Sequence, residues 1–211
     1  EIISDPFPRT VFGFIAVIFI GVVLLTTIQM FLYPHYMEFK GTAKAIVHGG
    51  TTVAAAIGAL IATPLVKRFD KKPAIYITIS IACAGNVALA LLFSTGFLAP
   101  KDAWGAIPIA AIVFGLLHPL YHFGSTSAVT VANSMMADVS EVNHYRTGVL
   151  KDGSYGAMLT FVLKAAVSLG QALCGFALSW AGYDEKADVH SWMTLQKIFI
   201  IAMLGSVVFC V

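Results

Sequence analysis

Apolar residues run through this chain in long blocks, broken by short clusters of charged residues, proline and glycine. A helix that crosses a bilayer needs about 20 mostly apolar residues. By that measure the pattern predicts spans over roughly 11–32, 45–66, 74–98, 107–137 and 154–181. A sixth span begins near Leu195. The fourth is long and contains Pro108 and Pro119, which predict a tilt, a kink or a break. The runs are too long and too evenly apolar for the alternating strands of a membrane barrel. The expected fold is therefore an all-α membrane protein with six transmembrane helices.

Composition agrees. Hydrophobic residues make up 58% and charged residues 11% of the chain, against a usual charged share of about 25%. So few charges would not cover a soluble surface, and a net charge of +2 gives no basis for a nucleic-acid partner. Lys and Arg sort between the two sets of loops. Arg9, Lys67, Arg68, Lys71, Lys72, Arg146 and Lys151 fall on one side, and Lys40, Lys44, Lys101, Lys186 and Lys197 on the other. The bias is modest and predicts the first side as cytoplasmic. Cys83, Cys174 and Cys210 lie in apolar runs without metal-ligand spacing and read as small core residues. No signal peptide is visible, and the chain begins without methionine and stops at Val211 inside an apolar run. The expectation is a piece of a longer protein, truncated at both ends.

Two helices carry patterns of their own. The second has a row of small residues spaced by four, Gly50, Ala54, Gly58 and Ala62. Such a row lets helix backbones approach closely in lipid. The fifth carries a lysine, Lys164, ten residues past Ser154. That is about 15 Å along the axis, half of a hydrocarbon core of about 30 Å. Residues three or four apart share a helix face. The face of Lys164 holds Thr160, Ser168, Gln171 and Gly175, while the remaining surface is Leu, Val, Phe and Ala. A lysine with polar neighbours at that depth predicts a cavity-lining group. The competing reading is a lysine that snorkels to the cytoplasmic surface.

The fourth helix has a second polar stripe, His118, His122, Thr126, Thr130 and Ser134, flanked by Tyr121 and Asn133. Histidines at i and i+4 can hold a metal, but "HPLYH" lacks the zinc-protease glutamate and no third ligand stands nearby. No metal site is expected. The stripe reads as a polar wall facing the same cavity as Lys164, or as hydrogen bonding between helices. No Ser-His-Asp set, carboxylate pair or phosphate loop can be assembled, so an enzyme is not expected.

One acidic–basic cluster follows, "MMADVSEVNHYRTGVLKDG", Met135 to Gly153. Ala137, Asp138, Glu141, Arg146, Thr147, Gly148, Lys151, Asp152 and Gly153 resemble a motif of the glycoside–pentoside–hexuronide:cation symporters. These are the melibiose-carrier-like branch of the major facilitator superfamily. "FVLKAAVSLGQALCGFALSWAGY" is similar to that family's eleventh helix, lysine included, and "LVKRFDKKP" resembles its loop between helices eight and nine. Asp70 replaces a usual glycine, His144 a common acidic residue, and Val129 a sugar-facing tryptophan of melibiose carriers. The last departure leaves a melibiose-type substrate unsupported.

The resemblance implies that residues 1–211 are helices seven to twelve, the C-terminal half, lacking a six-helix N-terminal half. It implies symport of a sugar or glycoside with Na⁺ or H⁺ (Li⁺ is also open) by alternating access, in a bacterial inner membrane, with no tightly bound cofactor. Lys164 would sit beside the cation site and the sugar, and Thr160 on the sugar side. Asp138, Glu141, Arg146, Lys151 and Asp152 would form a cytoplasmic gate of ion pairs across a loop, or simply a solvated loop that sets topology. Other classes stay open: an uncoupled facilitator or exporter of another solute, or a free-standing six-helix protein with a structural role.

Overall fold

The computed structural model describes residues 5–100, 109–149, 151–184, 186–187 and 190–210. Among them it holds six helices: α1 (Pro6–His35), α2 (Gly41–Phe69), α3 (Lys71–Ser94), α4 (Ile109–Thr147), α5 (Asp152–Ala181) and α6 (Trp192–Val208). The first five are long and apolar enough to cross a membrane, and α6 is a shorter apolar helix of 17 residues. Each predicted span lies within or beside an observed helix. The start predicted at 107, with Pro108, lies outside the described residues.

The chain chemistry explains the boundaries. Asp5 caps α1 through its side chain, with prolines in the first turn. Ser191 caps α6 by accepting from the Thr194 amide. Gly182 closes α5 in the left-handed conformation. Only Asp70 separates α2 from α3, at φ 67° and ψ 170°. That region is almost exclusively glycine's, and Asp70 occupies the position where the resembling family carries one.

Pro119 does not break α4, which is continuous over 39 residues. At the standard rise this is about 58 Å, nearly twice the hydrocarbon core. The excess corrects one expectation. Residues 138–147, read as loop from their charge, continue the helix. No glycine or proline interrupts the chain between Gly124 and Gly148, and charged residues are compatible with a helix that has left the membrane. Gly148, at φ 70°, ends it.

The packing repeats where the sequence does not. α4 lies against α2 and α3 as α1 lies against α5 and α6, while α1 meets α4 and α3 meets α6. Exchanging the first three helices for the last three thus reproduces these contacts. Close approaches at small residues carry it. A Cβ at Gly58 of α2 would overlap the Phe123 carbonyl of α4. A Cβ at Gly170 of α5 would come within 2.9 Å of Val23 of α1. Gly124 of α4 presses on the Thr78 carbonyl of α3, and Gly21 of α1 on Phe209 and Ser206 at the α6 end. Gly58 and Ala62 of the α2 row therefore do what the spacing predicts: Ala62 is buried, and Ser127 of α4 donates to the Gly58 carbonyl at 2.7 Å.

α2 and α5 are the least enclosed of the five long helices, with 17% and 22% of their apolar windows buried against 39–50% for the others. Large apolar side chains stand exposed on both, among them Ile46, Val53 and Leu60 on α2 and Phe161, Phe176 and Trp180 on α5. Hydrocarbon tails solvate such faces in a bilayer.

Candidate functional site

α5 has three faces, set by the 100° step of a helix. Ala166, Gly170 and Cys174 are buried, and Gly170 packs against α1. Phe161, Leu169, Phe176 and Trp180 form an exposed apolar face. Between them runs the polar stripe: Thr160, Lys164, Ser168 and Gln171 are all exposed. Thr160 Oγ1 donates to the Gly156 carbonyl at 2.9 Å, within its own helix. Lys164 lies twelve residues from the start of the 30-residue α5, about 18 Å along a helix of about 45 Å. The stripe thus joins neither the packed interior nor the broad apolar surface.

The α4 stripe is placed differently. His118 is fully buried and His122 is 9% exposed. His118 Nε2 hydrogen-bonds Gln29 Oε1 of α1 at 2.8 Å, and the ring stacks on Phe114 with centroids 4.8 Å apart. His48 of α2 and His118 each meet the Tyr33 ring edge-on at 6.4 Å. The first turns of this stripe therefore lie where α1, α2 and α4 meet, and not on the open face of Lys164. Thr126 and Thr130 are half-buried, with Thr130 Oγ1 donating to the Thr126 carbonyl at 2.9 Å. Val129 is half-buried against an apolar cluster that includes Ala62, Ile75 and Ile79. Among the described residues no group of three or more His, Cys, Asp or Glu is placed to hold a metal ion.

At the end of the bundle where α2 turns into α3, Asp138 pairs with Lys71, whose Nζ also donates to the Ser134 carbonyl at 3.1 Å. Ser140 Oγ donates to Asp152 Oδ1. Arg146 lies over the Phe7 ring, 5.4 Å from its centroid. Ser140, Glu141, His144, Asp152 and Tyr155 line a cavity of about 470 Å³ between the end of α4 and the start of α5. Asp138 and Arg146 thus find partners on the α2–α3 turn and α1, outside the motif that contains them. Gln29, Tyr33 and His48 are the residues that motif reasoning misses; Lys71 stands in the quoted loop motif, which gave no hint of its partner. Gln29 and His48, polar residues in or near apolar runs, are the signal the sequence carries for them.

The profile of the family described as MFS/sugar transport protein matches residues 1–211. The chain belongs to that family. The MFS/sugar transport fold accounts for an all-helical, multi-pass membrane protein and points to a transporter, not an enzyme. Among curated proteins, an uncharacterized 29.9 kDa protein in the crtE 3′ region of Pseudescherichia vulneris is 29% identical over 146 residues, 68% of this chain and 47% of that protein. The inner membrane symporter YicJ of Escherichia coli (strain K12) is 27% identical over 163 residues, 76% of this chain and 32% of that protein. The chain therefore spans less than half of either relative's length. No solved structure matches it at comparable significance.

Proposed function

We propose that this chain is the C-terminal six-helix half, helices seven to twelve, of a symporter that couples Na⁺ or H⁺ to uptake of a sugar or glycoside across a bacterial inner membrane. The observation that carries this reading is the open polar face of α5. A lysine well inside α5 with Thr160, Ser168 and Gln171 in line needs polar company. A second six-helix half would supply it. The ammonium of Lys164 can donate to sugar hydroxyls and pair with carboxylates of that half. Loss or gain of a cation beside it would then change its energy and link cation to substrate.

The symporter relative in Escherichia coli supports coupling and an inner-membrane location, and the family description supports a sugar as cargo. In this reading Lys71 and Asp138 bridge the α2–α3 turn to α4 on the cytoplasmic side, where Arg146, Asp152, Glu141 and Lys151 also gather. The test is uptake of labelled sugars by vesicles carrying the complete carrier, under an imposed Na⁺ or H⁺ gradient. Gradient-dependent accumulation is expected, and uptake that only equilibrates would leave a facilitator.

A further inference from the structure

Two hydrogen bonds fix how α3 lies against α6. Asn86 Nδ2 donates to Ser206 Oγ at 2.8 Å, and Gln196 Nε2 donates to the Ser94 carbonyl at 3.4 Å. Numbers rise on α3 as they fall on α6, so the two helices are antiparallel. Residues three or four apart share a helix face. One turn back from Asn86 on α3 is Cys83, and one turn on from Ser206 is Cys210. The register therefore sets these two cysteines opposite each other. Their thiols are hydrogen-bonded to one another, and both pack against the apolar cluster of Ala62, Ile75 and Ile79.

The pair is also reachable. Cys83 and Cys210 are free thiols and half-buried. Both line a groove of about 560 Å³ between α1, α3 and the end of α6, with Phe14, Ile79 and Phe209 among its walls. Cys174, the third cysteine, is buried on α5 and does not line that groove. A disulfide needs its sulfurs at about 2.05 Å. Cys210 lies past the end of α6, in a turn where its amide donates to the Val207 carbonyl at 2.8 Å. Its side chain can close on Cys83 without unwinding a helix.

We propose that Cys83 and Cys210 form a peroxide-sensitive dithiol, which hydrogen peroxide converts to a disulfide joining α3 to the end of α6. Hydrogen peroxide is small and uncharged, so an apolar groove admits it. One sulfur attacks a peroxide oxygen. The O–O bond breaks, the sulfur becomes a sulfenic acid, and the other oxygen leaves as water with the thiol's proton. The second sulfur then attacks the first. The S–O bond breaks, the S–S bond forms, and the hydroxyl leaves as a second water with the second thiol's proton. Two thiols lose two electrons in all, and the peroxide takes both. A sulfenic acid without a neighbouring thiol goes on to the irreversible sulfinic acid, which is why the pairing matters. Nothing in this depends on what the carrier transports.

The test is to treat membrane vesicles carrying the complete carrier with hydrogen peroxide, alkylate the remaining thiols, digest, and read the cysteine peptides by mass spectrometry. The expected result is joint loss of alkylation at Cys83 and Cys210, with their peptides linked and released by dithiothreitol, and Cys174 recovered alkylated. Cys174→Ser is expected to leave the linkage unchanged, and Cys83→Ser to leave Cys210 as a sulfenic or sulfinic acid. Wild-type Cys83 and Cys210 recovered unlinked, whether alkylated or singly oxidised, would overturn the pair. Linkage of either one to Cys174 as readily as to the other would overturn it too.

Discussion

The Nζ of Lys71 binds the carboxylate of Asp138, a residue 67 positions further along the chain. Lys71 opens α3 at the turn after α2, and Asp138 lies on the charged C-terminal part of α4. The pair therefore ties two of the three helices that pack together in this part of the bundle. It is partly exposed, at 22% and 55%, so its intrinsic worth is about 0–1 kcal/mol. Its consequence is geometric.

Breaking the pair should change the motion of the carrier more than its stability. Asp138→Asn is expected to leave the melting temperature within about 2 °C and to raise the labelling of a cysteine placed at Ser134 from the cytoplasmic side. The exchange Lys71→Asp with Asp138→Lys should restore the original labelling. A large drop in melting temperature would mean that the pair holds the fold.

Close packing at glycine gives a sharper stability test. Gly58→Ala and Gly124→Ala each push a methyl group into a backbone carbonyl of the neighbouring helix. Each should cost about 1–3 kcal/mol. Gly49, with nothing within 4 Å of an added Cβ, is the control. Gly49→Ala should be neutral or stabilising in a thermal melt in detergent. Equal effects at all three positions would contradict the packing described.

Asp70 combines backbone strain with a cap. Its φ of 67° and ψ of 170° carry about 1–3 kcal/mol of strain for a residue with a Cβ. Its carboxylate accepts from the Lys71 amide at 2.7 Å, worth about 1 kcal/mol as a helix cap. Asp70→Ala keeps the strain and loses the cap, whereas Asp70→Gly loses the cap and removes the strain. Thermal melts should rank glycine at or above aspartate and alanine lowest. Alanine melting above glycine would show that the turn is not strained.

The helices were legible because membrane spans announce themselves by length and apolarity. The predicted 45–66 and 154–181 fall inside α2 and α5, and the Gly50–Ala62 row pointed to the face that meets α4. The end of α4 was not legible, since hydropathy marks where a helix leaves lipid and not where it stops. Gly148 was the better marker. Periodicity placed His118 and His122 on one face but could not say what that face meets. The answer, Gln29 and Tyr33, lies 89 positions away for the hydrogen-bonded pair. The stripe of Lys164 and the stripe of His118 looked alike in sequence, and one is open while the first turns of the other are enclosed. The three-plus-three arrangement left no trace in residue identity because close approach needs only a small residue at each crossing.

Lys164 carries the central claim, and one measurement addresses it most directly: gradient-driven sugar accumulation by the complete carrier with Lys164→Ala, beside wild type at matched expression. The symport reading predicts loss of accumulation with the protein still inserted and folded, and partial return of function with Lys164→Arg, which keeps the charge. Full accumulation by Lys164→Ala would contradict it and remove the open face of α5 from the transport mechanism.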